Sequence, residues 1–254
     1  HPFASETARR LAAFVPDRVV LLPLYPQFST TTTASSVADW RRAAGVSGIR
    51  APLSQICCYP RAEGFVTAVA DSAAKALAEA RTAAPGAPVR LLFSAHGLPK
   101  RVIAAGDPYQ AQVEMSVAAV RDKLAAAGHL DGVEVVTCYQ SRVGPLEWIG
   151  PATEGEITAA AQAGAAIVVV PIAFVSEHSE TLVELDIEYR HLAETAGAPV
   201  YVRAPAVGVA PAFIQSLARL VVRAAAQPGT VSGDETDGDT RICPATLEKC
   251  GGPC

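Results

Sequence analysis

Ala166-Ile167-Val168-Val169-Val170-Pro171-Ile172-Ala173-Phe174 leads, after Val175, into Ser176-Glu177-His178-Ser179-Glu180-Thr181-Leu182-Val183-Glu184-Leu185-Asp186-Ile187-Glu188-Tyr189. The first stretch is a nearly unbroken apolar run, the signature of a strand covered on both faces. The second holds five carboxylates in twelve residues, with no Lys or Arg among them. Glu180, Glu184 and Glu188 are four residues apart, so on a helix they form one ridge, and Leu182, Leu185, Tyr189 and Leu192 form an opposing apolar stripe. Like charges at that spacing repel by roughly a few tenths of a kcal/mol per pair. Stability does not favour such a ridge; handling a cation does. A buried strand feeding an amphipathic helix is the unit of an α/β sheet.

The same alternation extends along the chain. Strands are expected at Arg18 to Leu24, Val89 to Ala95, Val133 to Tyr139, Ala165 to Phe174 and Pro199 to Arg203. Helices are expected at Pro2 to Phe14, Ser35 to Ala44, Gly64 to Ala83, Pro108 to Ala127, Glu154 to Ala163, His178 to Thr195 and Pro211 to Ala226. The fold class is therefore α/β, with parallel sheets flanked by helices. Pro228 to Thr240 is rich in Gly, Asp and Thr and reads as a flexible acidic linker.

With 254 residues, half of them hydrophobic, the chain can bury a sizeable core. Its net charge of −4 argues against nucleic acid as a partner. No apolar run approaches the roughly 20 residues that span a bilayer. Six cysteines in a chain of this length do not suggest a secreted disulfide scaffold, and a reducing, cytoplasmic setting fits better. His1-Pro2-Phe3 leads straight into helix-like sequence, so the chain is expected to be part of a longer protein.

In open α/β sheets, ligands sit beyond the carboxyl ends of the strands. Polar motifs follow four of the expected strands. They are Pro23-Leu-Tyr-Pro-Gln-Phe-Ser-Thr30, Ser94-Ala-His-Gly-Leu-Pro99, Cys138-Tyr-Gln-Ser-Arg-Val-Gly-Pro-Leu-Glu-Trp148 and the acidic segment. Strand-end histidines such as His96 commonly do structural work. Imidazole is also a neutral ligand for Fe(II) or Zn(II) and accepts protons near neutral pH. The carboxylates on a neighbouring strand end favour a mixed nitrogen and oxygen site for a divalent metal. Tyr109, Trp148, Phe28, Phe174 and His178 could together wall a flat apolar ligand. Arg142 could pair with a carboxylate of the protein or with an anionic group of a ligand.

These motifs resemble those of the ferrochelatases. The matching pieces are Tyr25-Pro-Gln-Phe-Ser29, Phe93-Ser-Ala-His-Gly-Leu-Pro99, Gly106-Asp-Pro-Tyr109, Tyr139-Gln-Ser-Arg-Val-Gly-Pro145 with Trp148, and Pro171 to Tyr189. The resemblance implies insertion of Fe(II) into a porphyrin, protoporphyrin IX, with release of two protons, late in haem synthesis. It implies two Rossmann-like lobes with the tetrapyrrole between them. His96 and Glu180 would be the catalytic and metal-site pair, and Glu177, Glu184 and Glu188 an acidic path toward solvent. Tyr25, Phe28, Tyr109, Trp148, Phe174 and His178 would be porphyrin-binding residues, with His178 supporting Glu180. Residues 1–60 would form the remainder of an incomplete first lobe and 61–208 the second lobe. Residues 209–227 would be a helix returning to the first lobe, 228–241 a linker and 242–254 a cysteine-rich tail. Contact with the periphery of the inner membrane is compatible with a poorly soluble porphyrin; no anchor helix is evident, and oligomeric state is not readable. Rival readings are a chelatase for coproporphyrin or cobalt, and a tetrapyrrole- or metal-binding module without turnover.

Cys243, Cys250 and Cys254 have a Cys-x6-Cys-x3-Cys spacing in a glycine-rich setting, which suits iron–sulfur or zinc ligation. Some ferrochelatases resemble this in carrying a 2Fe–2S cluster. A fourth ligand would come from Cys57 or Cys58; the alternative is a tail of free thiols. Cys138 is expected in the core.

Overall fold

The computed structural model describes residues 2–234 and 242–251. The larger sheet is wholly parallel, with strands β3 (Val89–His96), β4 (Val133–Gln140), β5 (Ala166–Pro171) and β6 (Tyr201–Arg203) in the order β4-β3-β5-β6. Every residue of β5 is buried. Its apolar run is continuous because helices cover both faces. Helices α3 (Glu63–Ala83) and α5 (Tyr109–Ala126) lie on one face, and α6 (Thr153–Gln162) and α7 (Tyr189–Thr195) on the other.

The smaller sheet is also parallel, in the order β1-β2-β7, with β1 at Val19–Leu21, β2 at Leu53–Ile56 and β7 at Val231–Ser232. Helices α1 (Ala4–Phe14) and α2 (Ser35–Val46) pack on each other, and α8 (Pro211–Ala226) packs on α3 and against β1 and β2. The short helix α4 (Lys100–Ala104) follows β3.

Several elements depart from the sequence-based expectation. β2 carries Ser54 and Gln55 in buried positions, so it lacks an apolar run. β7 lies where a flexible linker was expected: the N–H groups of Gln55 and Cys57 bond the carbonyls of Thr230 and Ser232. That pairing is long-range and leaves no local signal. The remainder of the expected linker, 235–241, lies outside the described residues, as does Cys254.

The acidic segment is helical, but Glu180–Glu188 is a π-helix that passes into α7. Thr181, Leu185, Tyr189 and Ala193 are its buried residues, one every fourth position, whereas Leu182 is 47% exposed. In an α-helix of 3.6 residues per turn, every fourth residue drifts about 40° round the axis. The wider i→i+5 turns counter that drift and keep the stripe on the sheet.

A buried polar seam joins the lobes. Asp107 is 1% exposed. Its Oδ2 accepts from Ser29 Oγ at 3.0 Å, Thr30 N at 2.7 Å and Thr30 Oγ1 at 2.6 Å, and its Oδ1 accepts from Tyr109 N at 2.9 Å. One carboxylate thus caps the π-helical turn Thr30–Ala34 and the start of α5. Gln27 Nε2 donates to Ser116 Oγ at 2.8 Å and to the Ile172 carbonyl at 3.3 Å.

Candidate active site

Parallel register brings the strand ends together: His96 pairs with Gln140, and Ser94 with Pro171. Above them opens a cavity of about 710 Å³. That lies within the ordinary range for sites that enclose a small organic ligand. Its first-lobe wall is Leu24, Tyr25, Gln27, Ser29, Thr31 and Thr32. Its second-lobe wall is the His96–Pro99 turn, Tyr109, Trp148, the Ala173–Ser176 turn, His178 and Glu180.

His96 Nε2 lies 3.4 Å from Glu180 Oε2, and both side chains are partly exposed, 40% and 36%. His96 Nδ1 lies 2.7 Å from the Gly97 carbonyl oxygen. A carbonyl only accepts, so Nδ1 carries a hydrogen, and it is Nε2 that in the neutral ring presents its lone pair to Glu180. A nitrogen lone pair and a carboxylate then face each other at the cavity wall. Two acceptors at that distance call for a proton or a metal cation between them. Gly97 is required at the turn: a Cβ there would sit 2.9 Å from the Gln140 carbonyl oxygen.

Glu180 is oriented from two sides. Its N–H donates to His178 Nδ1 at 3.2 Å, and its Oε2 lies 3.2 Å from Ser141 Oγ, whose single hydrogen it shares with Glu184. His178 is braced by the Phe174 ring, edge-on with centroids 4.6 Å apart. Tyr109 is buried beneath the pair. Burial, with Tyr139, Glu180 and Asp107 close by, pushes its phenol well above the ordinary 10.0, so the hydroxyl keeps its proton.

Glu184 is held quite differently. Its Oε1 accepts from Ser141 N at 2.7 Å and Tyr189 OH at 2.9 Å, and its Oε2 from Gln140 Nε2 at 3.0 Å and from Ser141 Oγ. Ser141 reaches it with a positive φ of 58°, a region uncommon outside glycine. Burial and the Glu184 carboxylate hold the Tyr189 phenol well above its usual value, so it remains a donor.

The structure therefore gathers His96, Glu180, Tyr25, Tyr109, Trp148, Phe174 and His178 around one cavity. Glu184 adjoins the pair, and Glu188 is exposed further along the helix. Glu177 points to Arg203 Nη1 at 2.7 Å and accepts from Ala206 N at 2.8 Å. Burial alone would raise its pKa, but Arg203 and the Ala206 N–H outweigh burial and hold it below the usual 4.5.

Phe28 does not wall the cavity. Gln27 and Ser29 line the cavity, and Phe28 between them does not. Phe28 packs instead with Cys57 and Cys58, under Ile242 and Cys250, and a Cβ on Gly251 would sit 2.5 Å from its ring. In the same patch Gln112 Nε2 donates to Cys243 Sγ at 3.1 Å and Cys58 Sγ at 3.4 Å, while its Oε1 accepts from Phe28 N at 2.7 Å. The Cys243 thiol is pushed up by its hydrogen bond with Cys250, then by burial. Among the described residues, no group of three or more His, Cys, Asp or Glu is arranged as a formed metal site. Cys138 lies in the core, its thiol pushed up by burial to about 12.

The sequence reading missed Asp107, Gln112, Ser141 and Arg203. Asp107-Pro108 ahead of a helix is a capping signal that could have been read. Ser141 stands within the Tyr139–Pro145 motif with nothing to mark its role, and nothing local marks Gln112 or Arg203; the partners of the three lie 17 to 131 residues away.

The family model described as Ferrochelatase matches residues 1–225. The chain belongs to the ferrochelatase family. Its members are metal chelatases, enzymes that insert ferrous iron into a porphyrin in haem synthesis. The ferrochelatase of Caulobacter vibrioides is 51% identical over 251 residues, covering 96% of this chain and 68% of that protein. That of Phenylobacterium zucineum is 49% identical, covering 98% and 68%. The chain thus spans about two thirds of the length of these relatives. A solved structure described as SirB from Bacillus subtilis with Fe3+ matches with a TM-score of 0.55 and 17% identity, over 83% of this chain and 72% of that one. That likeness shows a shared fold.

Proposed function

We propose that the His96–Glu180 pair is the centre at which this chelatase exchanges two porphyrin N–H protons for Fe(II). The observation that carries this reading is the 3.4 Å approach of Nε2 to the carboxylate on the wall of the cavity. Fe(II) is substrate here, and an imidazole with a carboxylate suits a borderline divalent ion. The same two atoms can take the departing protons, one each. Tyr25, Tyr109, Trp148 and Phe174 supply flat apolar surface for the macrocycle, and His178 fixes the backbone of Glu180. Glu184 and Glu188 lead from the pair toward solvent.

The test is His96→Ala, assayed for Fe(II)-dependent absorbance change and, separately, for porphyrin fluorescence quenching. Insertion is expected to fall by about 10²- to 10⁴-fold, the usual worth of a positioned proton-transfer group, while quenching persists. Insertion at the unaltered rate would remove the assignment.

The cysteine patch supports a second element, a 2Fe–2S cluster held by Cys58, Cys243 and Cys250, with Cys254 completing the set. The donor chemistry fits: soft sulfurs, those of Cys58 and Cys243 buried, beside an amide N–H, the kind of contact that sets cluster potentials. Gln112 donates to Cys58, which favours Cys58 over Cys57. Such a cluster supplies one-electron exchange when bound. Cys58→Ser is expected to remove the visible absorption of the purified protein, and Cys57→Ser to retain it; the reverse pattern would exchange their roles.

A further inference from the structure

A π-helical run of nine residues is unusual, because the wider turn packs its own backbone less well than an α-helix. Its register must be held from outside. Three contacts do this from one side chain. Arg203 Nε and Nη2 donate to the two carboxylate oxygens of Asp186 at 2.7 and 2.6 Å, and Nη1 donates to Glu177 Oε1 at 2.7 Å. Asp186 lies within the π-helical run and Glu177 three residues before Glu180, so the guanidinium grips the segment on both sides of Glu180. Arg203 itself is only 10% exposed and ends β6, whose register with β5 is fixed by the Val169–Arg203 pairing. β5 pairs with β3, which ends at His96. Both members of the His96–Glu180 pair are therefore referenced to one sheet.

We propose that Arg203 is a positioning residue for metal insertion: its two-sided grip on Glu177 and Asp186 sets the register that holds Glu180 opposite His96. This rests on the reading of that pair as the insertion centre. It also makes Glu177 part of the clamp rather than of the acidic path. Lysine cannot reproduce the planar fork that spans both partners.

The experiment compares Arg203→Ala, Arg203→Lys and Asp186→Asn with the unaltered protein in three assays. These are turnover with Fe(II), porphyrin fluorescence quenching, and the part of Co(II) binding that His96→Ala abolishes. Arg203→Ala is expected to lower kcat and Co(II) affinity by about 10- to 100-fold, as loss of an orienting partner does. Porphyrin quenching should stay unchanged and Arg203→Lys should fall between the two. Asp186→Asn, which cuts one side of the grip, carries the same test should Arg203→Ala fail to fold. Turnover and Co(II) affinity independent of both substitutions, or a loss that follows porphyrin binding, would overturn the clamp. Unaltered protein that binds Co(II) through His96 but inserts no iron would instead defeat the functional reading, while Co(II) affinity still judges Arg203.

Discussion

Two regions of this molecule collect like groups, and they neutralise the cost in opposite ways. The acidic helix sets Glu180, Glu184 and Asp186 together, yet each carboxylate meets donors: Ser141, Gln140, Tyr189 and Arg203. The cysteine patch sets Cys57, Cys58, Cys243 and Cys250 together around Phe28, with Gln112 donating to two of them. The first region surrounds carboxylates with donors, and the second packs thiols against an aromatic ring. Carboxylates next to an open cavity are poised for a cation. Thiols are quiet until a metal takes their protons. Within the acidic region the contrast repeats: Glu184 spends both oxygens on donors, whereas Glu180 keeps one face toward His96.

Exchange experiments can break this contrast. The largest effect is expected from Glu180→Gln, which should lower iron insertion by about 10²- to 10⁴-fold with little change in Tm. Next comes Phe28→Ala, which should cost about 3–5 kcal/mol by opening a cavity in the thiol patch. Denaturant unfolding would register that loss, and turnover per folded molecule should remain. A Phe28→Ala variant with full stability and lost porphyrin binding would return Phe28 to the cavity wall. Glu184→Ala is expected to destabilise by about 1–3 kcal/mol, because the buried Gln140 side chain and the half-buried Ser141 N–H lose their acceptor. An unchanged midpoint would show that Glu184 is free for the path.

The smallest effect concerns pH. Glu177 has its folded pKa depressed below 4.5, so its ion pair contributes fully above that value and is lost as pH falls through the lower folded value. Thermal unfolding followed downward from pH 4.5 should decline more steeply in the unaltered protein than in Glu177→Gln. Parallel curves would contradict the pairing with Arg203.

Much of the second lobe was legible because burial on both faces writes itself as an apolar run, as in Ala166–Pro171, and a 21-residue helix with an apolar face such as α3 carries its own period. The first lobe was less legible. β2 mixes Ser54 and Gln55 into a short strand, and β7 forms only because the chain returns to β2, pairing Val231 with Gln55, 176 positions earlier. The site divides along the same line. His96 ends β3, and Phe174 and Glu180 follow β5 in the turn and helix beyond it, where position along the chain implies a cleft. Arg203, Ser141 and Gln112 act on partners distant in sequence. A helix over His178 to Thr195 is legible, but a spacing of four suits an α-helix and a π-helix alike, and the exposed Leu182 is what separates them.

The most direct measurement is anomalous diffraction at the cobalt edge from crystals of this protein soaked in Co(II). The account predicts a peak bonded to His96 Nε2 and to a Glu180 carboxylate oxygen. A Co(II) peak confined to other ligands, with His96 and Glu180 untouched, would contradict it.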